Sequence, residues 1–174
     1  QAGVTASPSS VDRTLRGGGG ASVLASIASA VVRGADGHPV TVEVHIAPGL
    51  PGLTIVGLPD TSCREARDRV RAAVTAAGVS WPAKRITVNL APSADKKVGS
   101  GLDLAMAVAI LVANDDLPTA AVARLAFLGE LGLDGPVRPV PGSVPMVDAV
   151  VADTVVVPVA SAADAELVEG PKVR

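Results

Sequence analysis

The chain has 174 residues, room for one domain with a sizeable core, and 48% of them are apolar against 18% charged, which excludes a disordered protein. Trp81 and Phe127 are its only aromatics, Cys63 its only cysteine and His38 and His45 its only histidines, so banks of stacking rings, a disulfide framework and a cysteine-built zinc site are all excluded. Fifteen basic residues against 17 acidic ones give a formal charge of −2, which alone points to no polyanionic partner.

Residues 1–22 are rich in Gly and Ser and lack an apolar period, so they read as a disordered arm before a single domain over 23–174. Arg13 to Ala30 imitates a signal peptide, but Gly17 to Gly20 stand where its apolar core should begin, and a first strand is the better reading. The chain begins at Gln1 instead of Met, as expected if its natural start is missing or processed. Val40, Val42, Val44 and Ile46 alternate with Thr41, Glu43 and His45, which predicts a strand with one buried face. The turn residues Gly34-Ala35-Asp36-Gly37 pair it with 23–33 as a hairpin, leaving His45 toward solvent.

An irregular Pro/Gly loop leads to a short strand at Leu53 to Val56. Asp60, Thr61 and Ser62 then offer helix caps, Ser62 with Glu65 as a capping box, for a helix to about Ala77 that stops at Gly78. Ala66, Val70, Ala73, Val74 and Ala77 share one face, Arg64, Arg67 and Arg71 form a row on another, and Glu65 and Arg69 can pair across one turn. Cys63, with no base or resolving cysteine in view, reads as an inert thiol. Ile86, Val88 and Leu90 mark the next strand, and LDLAMAVAILVA (102–113) a helix apolar nearly all round and therefore buried. A hairpin over 126–140, a helix near 144–152, a strand over 154–159 and a helix near 162–168 complete the order. Hairpins mixed with crossovers predict an α+β fold, a mixed sheet with helices packed on it. The longest apolar run, Leu104 to Ala113, is about half the roughly 20 residues a membrane span needs, so a cytoplasmic protein without a membrane partner is expected.

Charge is unevenly spread. Residues 64–97 carry eight basic against three acidic side chains, while 103–174 carry four against ten. Solvated helix faces explain such a pattern, and so does a polyanion site. Lys96-Lys97-Val98-Gly99-Ser100-Gly101-Leu102-Asp103 joins a strand to the buried helix, an arrangement that can present backbone N–H groups to an anion; a tight turn with Ser100 as helix cap is the alternative. Asp103, in the first turn, would oppose a second anion, so only weak occupancy is expected. No Walker spacing occurs, so ATP hydrolysis by the usual machinery is excluded. A Ser–Lys dyad needs a desolvated lysine, and Lys96 and Lys97 sit in a polar loop beside Asp95. Asp115-Asp116 read as solvated.

Together APGLPGLTIVGLPD, REARDRVRAAV, ITVNLAP, KKVGSGLDLAMAVAIL and LGELGLDGPVRPV resemble, in order, the N-terminal domain of the magnesium-chelatase-like AAA+ ATPases, the ComM/YifB family. The resemblance implies the fold of the Lon protease domain and of a ribosomal small-subunit protein, and a role in DNA recombination after natural transformation, in proteins that resemble hexameric helicases. It implies that the Lon dyad is missing, since the positions of its serine and lysine fall at Gly101 and near Val144. It implies ATP and magnesium only for a Walker-bearing module that this chain does not contain, whether as a domain fragment or as a truncated relative. The expected role is therefore non-catalytic: DNA contact, through Arg64, Arg67, Arg71, Arg85, Lys96, Lys97 and Ser100, or ring assembly with the ATPase module or further copies. The competing expectations are a purely structural oligomerisation module and a residual Lon-type serine peptidase.

Overall fold

The computed structural model describes residues 11–12, 23–58, 60–92 and 100–174. Its framework is a long hairpin of β2 (Val23–Arg33) and β3 (Asp36–Ala47), joined through Gly34-Ala35 with Arg33 opposite Asp36. Gly34, at φ 60, takes the positive dihedral that a two-residue hairpin turn demands. The turn is thus tighter than the four-residue one expected. Within the expected disordered arm, β1 (Val11–Asp12) pairs antiparallel with β2, and residues 1–10 and 13–22 lie outside the described ones.

On the far side of β3 lies β5 (Arg85–Ala91), antiparallel to it, and beyond β5 the edge strand β4 (Gly52–Val56), parallel. On the other side of β2 follow β6 (Leu125–Phe127), β9 (Thr154–Val156) and β10 (Lys172–Val173), all parallel, giving the order β10-β9-β6-β2-β3-β5-β4. The fold is α+β with a mixed sheet. β2 and β6 share one register pair, Ala28 with Ala126, and the Ser29 hydroxyl strengthens the joint by donating to the Phe127 carbonyl at 2.8 Å.

Strand alternation sends Ile27, Val42, Val44, Ile46, Ile86, Val88 and Leu90 to one face, where α1 (Asp60–Ala76) and α2 (Asp103–Ala113) cover them. α1 buries Ala66, Val70, Ala73 and Val74 as its spacing predicts, whereas Ala77 is exposed. Burying each valine is worth about 1.5 kcal/mol. The helix starts at Asp60, so Ser62 already lies inside its first turn. It ends in a Schellman motif, the Val79 N–H reaching the Val74 carbonyl at 3.2 Å with Gly78 at φ 81. α2 is buried nearly all round, as expected.

α4 (Ser143–Ala149) packs on the opposite sheet face over β2 and β3. It comes so close that a Cβ at Gly37 would lie 1.8 Å from the Pro145 carbonyl oxygen; only glycine fits there. The predicted 126–140 hairpin is split: β6 joins the main sheet, while β7 (Glu130–Leu131) and β8 (Val137–Arg138) form a separate pair. Between α2 and β6 lies a short helix the apolar pattern did not signal, α3 (Thr119–Val122). The last predicted helix shrinks to a 3₁₀ turn (Val159–Ser161) and α5 (Ala162–Ala165). Among the described residues no helix is long and apolar enough to cross a membrane.

Candidate functional site

The arginine row of α1 does not stand on an isolated helix face. Arg64, Arg67 and Arg71 line one side of an open groove of about 650 Å³ whose other walls are Pro51, Gly52 and Leu53 at the start of β4, and Trp81, Pro82 and Ala83. The crossover between α1 and β5 brings Trp81 there, half-buried and packed against the core. Aromatic content alone argued against stacking; the topology instead sets the single tryptophan on the same groove as the arginine row. Asp68 also faces the groove.

The three arginines are not equivalent. Arg64 and Arg71 are exposed. Arg67 is half-buried, its Nε donating to the Cys63 carbonyl at 3.2 Å and its Nη1 to the Leu53 carbonyl at 3.5 Å. It ties α1 to the edge of β4 and lines the groove. Cys63 is buried, its Sγ 3.5 Å from the Ile55 and Leu58 carbonyls, a packed thiol. Arg85 is exposed but alternates with the buried Ile86, so it projects from the other sheet face, beside the Gly49 loop. Lys96 and Lys97 lie outside the described residues.

A second polar cluster sits at the start of α2, and its partners were not anticipated. Asp103 is 1% exposed. Arg69 of α1 grips it with both arms, Nε to Oδ2 at 2.5 Å and Nη2 to Oδ1 at 3.2 Å, and the Leu131 N–H donates to Oδ2 at 3.3 Å. The expected Glu65–Arg69 pair is present at 3.8 Å but secondary. Burial pushes the Asp103 carboxyl above the ordinary carboxylate range, with Arg69 and the Leu131 N–H pulling it back. Arg69 is held above its usual value, chiefly by its hydrogen bond to Asp103.

This cluster bears on the expected anion site. The Asp103 N–H donates to the Ser100 carbonyl at 3.1 Å and the Leu104 N–H to the Gly129 carbonyl at 3.2 Å, so two of the donors such a site needs are engaged. The residue preceding the helix is Leu102, and Ser100 is not its cap. The Ser100 hydroxyl donates to the Glu130 carboxylate. Ser100 therefore belongs to the α2 cluster and lies apart from the residues lining the arginine groove. Spacing along the chain could not reveal these pairings, because Ser100 and Glu130 are 30 residues apart and Arg69 and Asp103 are 34.

Comparison with known proteins fits this architecture. Residues 42–161 match the family model described as subunit ChlI of Mg-chelatase. An uncharacterised protein of Mycobacterium tuberculosis is 48% identical over 149 residues, 84% of this chain and 30% of that protein. The Escherichia coli protein YifB is 50% identical over 111 residues, 64% of this chain and 22% of its own length. Competence protein ComM of Haemophilus influenzae is 44% identical over 124 residues, covering 71% of this chain and 24% of ComM. The chain thus spans less than a third of the length of these relatives. It belongs to the ChlI family, among the magnesium-chelatase-like proteins that include YifB and ComM.

Proposed function

We propose that this domain contributes DNA contact to a ComM/YifB-like protein acting in recombination or competence, and that it is itself non-catalytic. The observation carrying the reading is the groove: Arg64 and Arg71 expose their guanidinium groups along one wall, with Trp81 on another. The ComM relative is named a competence protein. Phosphate contacts by arginine are sequence-blind and weaken with salt. Arg85, on the other sheet face, and Lys96 and Lys97 are secondary candidates. The non-catalytic reading draws on Ser100, whose hydroxyl is committed to Glu130, and on Val144, which stands near the Lon lysine position. ATP and magnesium enter only through a module outside this chain, in a cytoplasmic setting.

The test is binding of a labelled DNA across a salt series. Binding at low salt that weakens log-linearly with salt supports the reading. Absence of binding at low salt, with the longer protein giving the same result, removes it.

A second reading, assembly with further copies or with the ATPase module, draws on Val159 and Leu167. They are 94% and 78% exposed on the C-terminal segment, next to the exposed acidic Asp164 and Glu166, to which the basic row of another copy, Arg64 and Arg71, is complementary in charge. Light scattering at low and high salt without DNA tests it, since salt-broken oligomers are expected only on this reading.

A further inference from the structure

The form of nucleic acid that suits the groove can be narrowed, on the reading that the groove contacts DNA. A duplex presents phosphates outward and keeps its bases stacked inside, so it engages arginines but not a tryptophan recessed beside them. Trp81 is packed against the core on one side and lines the groove on another, with Pro51, Leu53, Pro82 and Ala83 as apolar surroundings. A cationic rim around an apolar wall suits a strand whose bases are free to leave the stack.

The spacing of charges along α1 sets which phosphates can be reached. Arg64 and Arg71 are seven residues apart on one helix, an axial rise of about 10.5 Å, about three steps of a stacked strand at about 3.4 Å each, so they reach phosphates that are not adjacent. Between them Arg67 and Asp68 also line the groove, Arg67 turned to the Cys63 and Leu53 carbonyls, so the exposed positive charge lies at the two ends. We infer that the groove takes a single nucleic-acid strand, with one unpaired base laid on Trp81 and phosphates on either side of it, about three steps apart, on Arg64 and Arg71.

The molecule supplies its own probe: Trp81 is the only tryptophan and the chain has no tyrosine, so tryptophan fluorescence reports this one wall. The 174-residue chain is titrated at low salt with an oligothymidylate, an abasic oligomer of the same length and a hairpin duplex, following fluorescence and, in parallel, anisotropy of the labelled oligomers. Quenching by oligothymidylate alone, with about tenfold weaker binding of the abasic oligomer, is the expected result. Trp81→Ala should erase that tenfold difference. Because Trp81 also packs on the core, Trp81→Phe serves where the alanine variant fails to fold, and it should keep the preference for oligothymidylate. Equal affinity for the oligothymidylate and the abasic oligomer without quenching, or tighter binding of the duplex, overturns the inference and leaves DNA contact standing. No binding of any of the three overturns the inference, and the same result with the longer protein overturns DNA contact as well.

Discussion

Arg69 and Arg71 stand two positions apart on α1 and end in opposite surroundings. Arg69 is 20% exposed and closes a bidentate pair with a carboxylate that has almost no contact with water, whereas Arg71 is exposed on the groove wall. Arg67 lies between these extremes, holding two backbone carbonyls while bordering the groove. One helix thus presents the same side chain as a structural clamp, as a brace and as a free charge, and burial of the partner decides which. A guanidinium facing a buried carboxylate cannot be released without stranding a charge, while one facing solvent is available to a ligand at little cost.

Substitutions can break that ranking. Arg69→Ala strands Asp103 and should cost about 3 kcal/mol at neutral pH in urea denaturation. The cost should depend on pH with a definite sign. Burial raises the folded-state value of Asp103 above the unfolded one of about 3.9, so its contribution is fully present below that value and is lost as pH rises through the folded one. Without Arg69 the folded value climbs further, so the penalty should be largest near neutrality and shrink toward about pH 3. An equal penalty at both ends would show that the pair is not what Arg69 supplies.

Asp103→Asn should be milder, about 1 kcal/mol, because the part-exposed Arg69 still has Glu65 and water within reach. A penalty above that of Arg69→Ala at neutral pH would invert the assignment of clamp and clamped. Arg67→Ala should also cost about 1 kcal/mol, from the two carbonyls it leaves, in the same denaturation experiment. Arg64→Ala and Arg71→Ala should change stability by less than about 0.5 kcal/mol. Made together, they should flatten the log–log salt dependence of single-strand binding by roughly 1.4, two phosphate contacts' worth, in the anisotropy titration. Destabilisation by either would mean that the groove wall is structural after all.

Local periodicity carried much of the fold. The alternation of β3 and β5, the stripe of Ala66, Val70, Ala73 and Val74, the stop at Gly78 and the all-round apolar α2 each follow from neighbours within a turn or a pleat. Parallel pairings such as β4 with β5 and β6 with β9 did not show, because they join segments separated by whole helices. The same limit governed the site. The arginine row was legible as a row, but nothing in REARDRVR distinguishes Arg69, whose partner lies 34 residues on. Trp81 was legible only as a scarce aromatic, since its place beside the row depends on the crossover from α1 into β5. Asp103 read as a first-turn charge complementing a helix dipole, when it is in fact the buried end of an ion pair.

The brace formed by Arg67 has a consequence for how copies of this protein meet. β4 is an edge strand of the sheet, and an edge with open carbonyls is a template on which another chain can continue the ladder. Here the outward carbonyls of Leu53 and Ile55 are occupied from within the molecule, one by the Arg67 guanidinium and the other by the Cys63 thiol. Only a short strand remains, its outward carbonyls met by its own helix, which disfavours growth of the sheet on this side, and one of the two side chains responsible, Arg67, is one that a reading of charge alone assigns entirely to ligand binding.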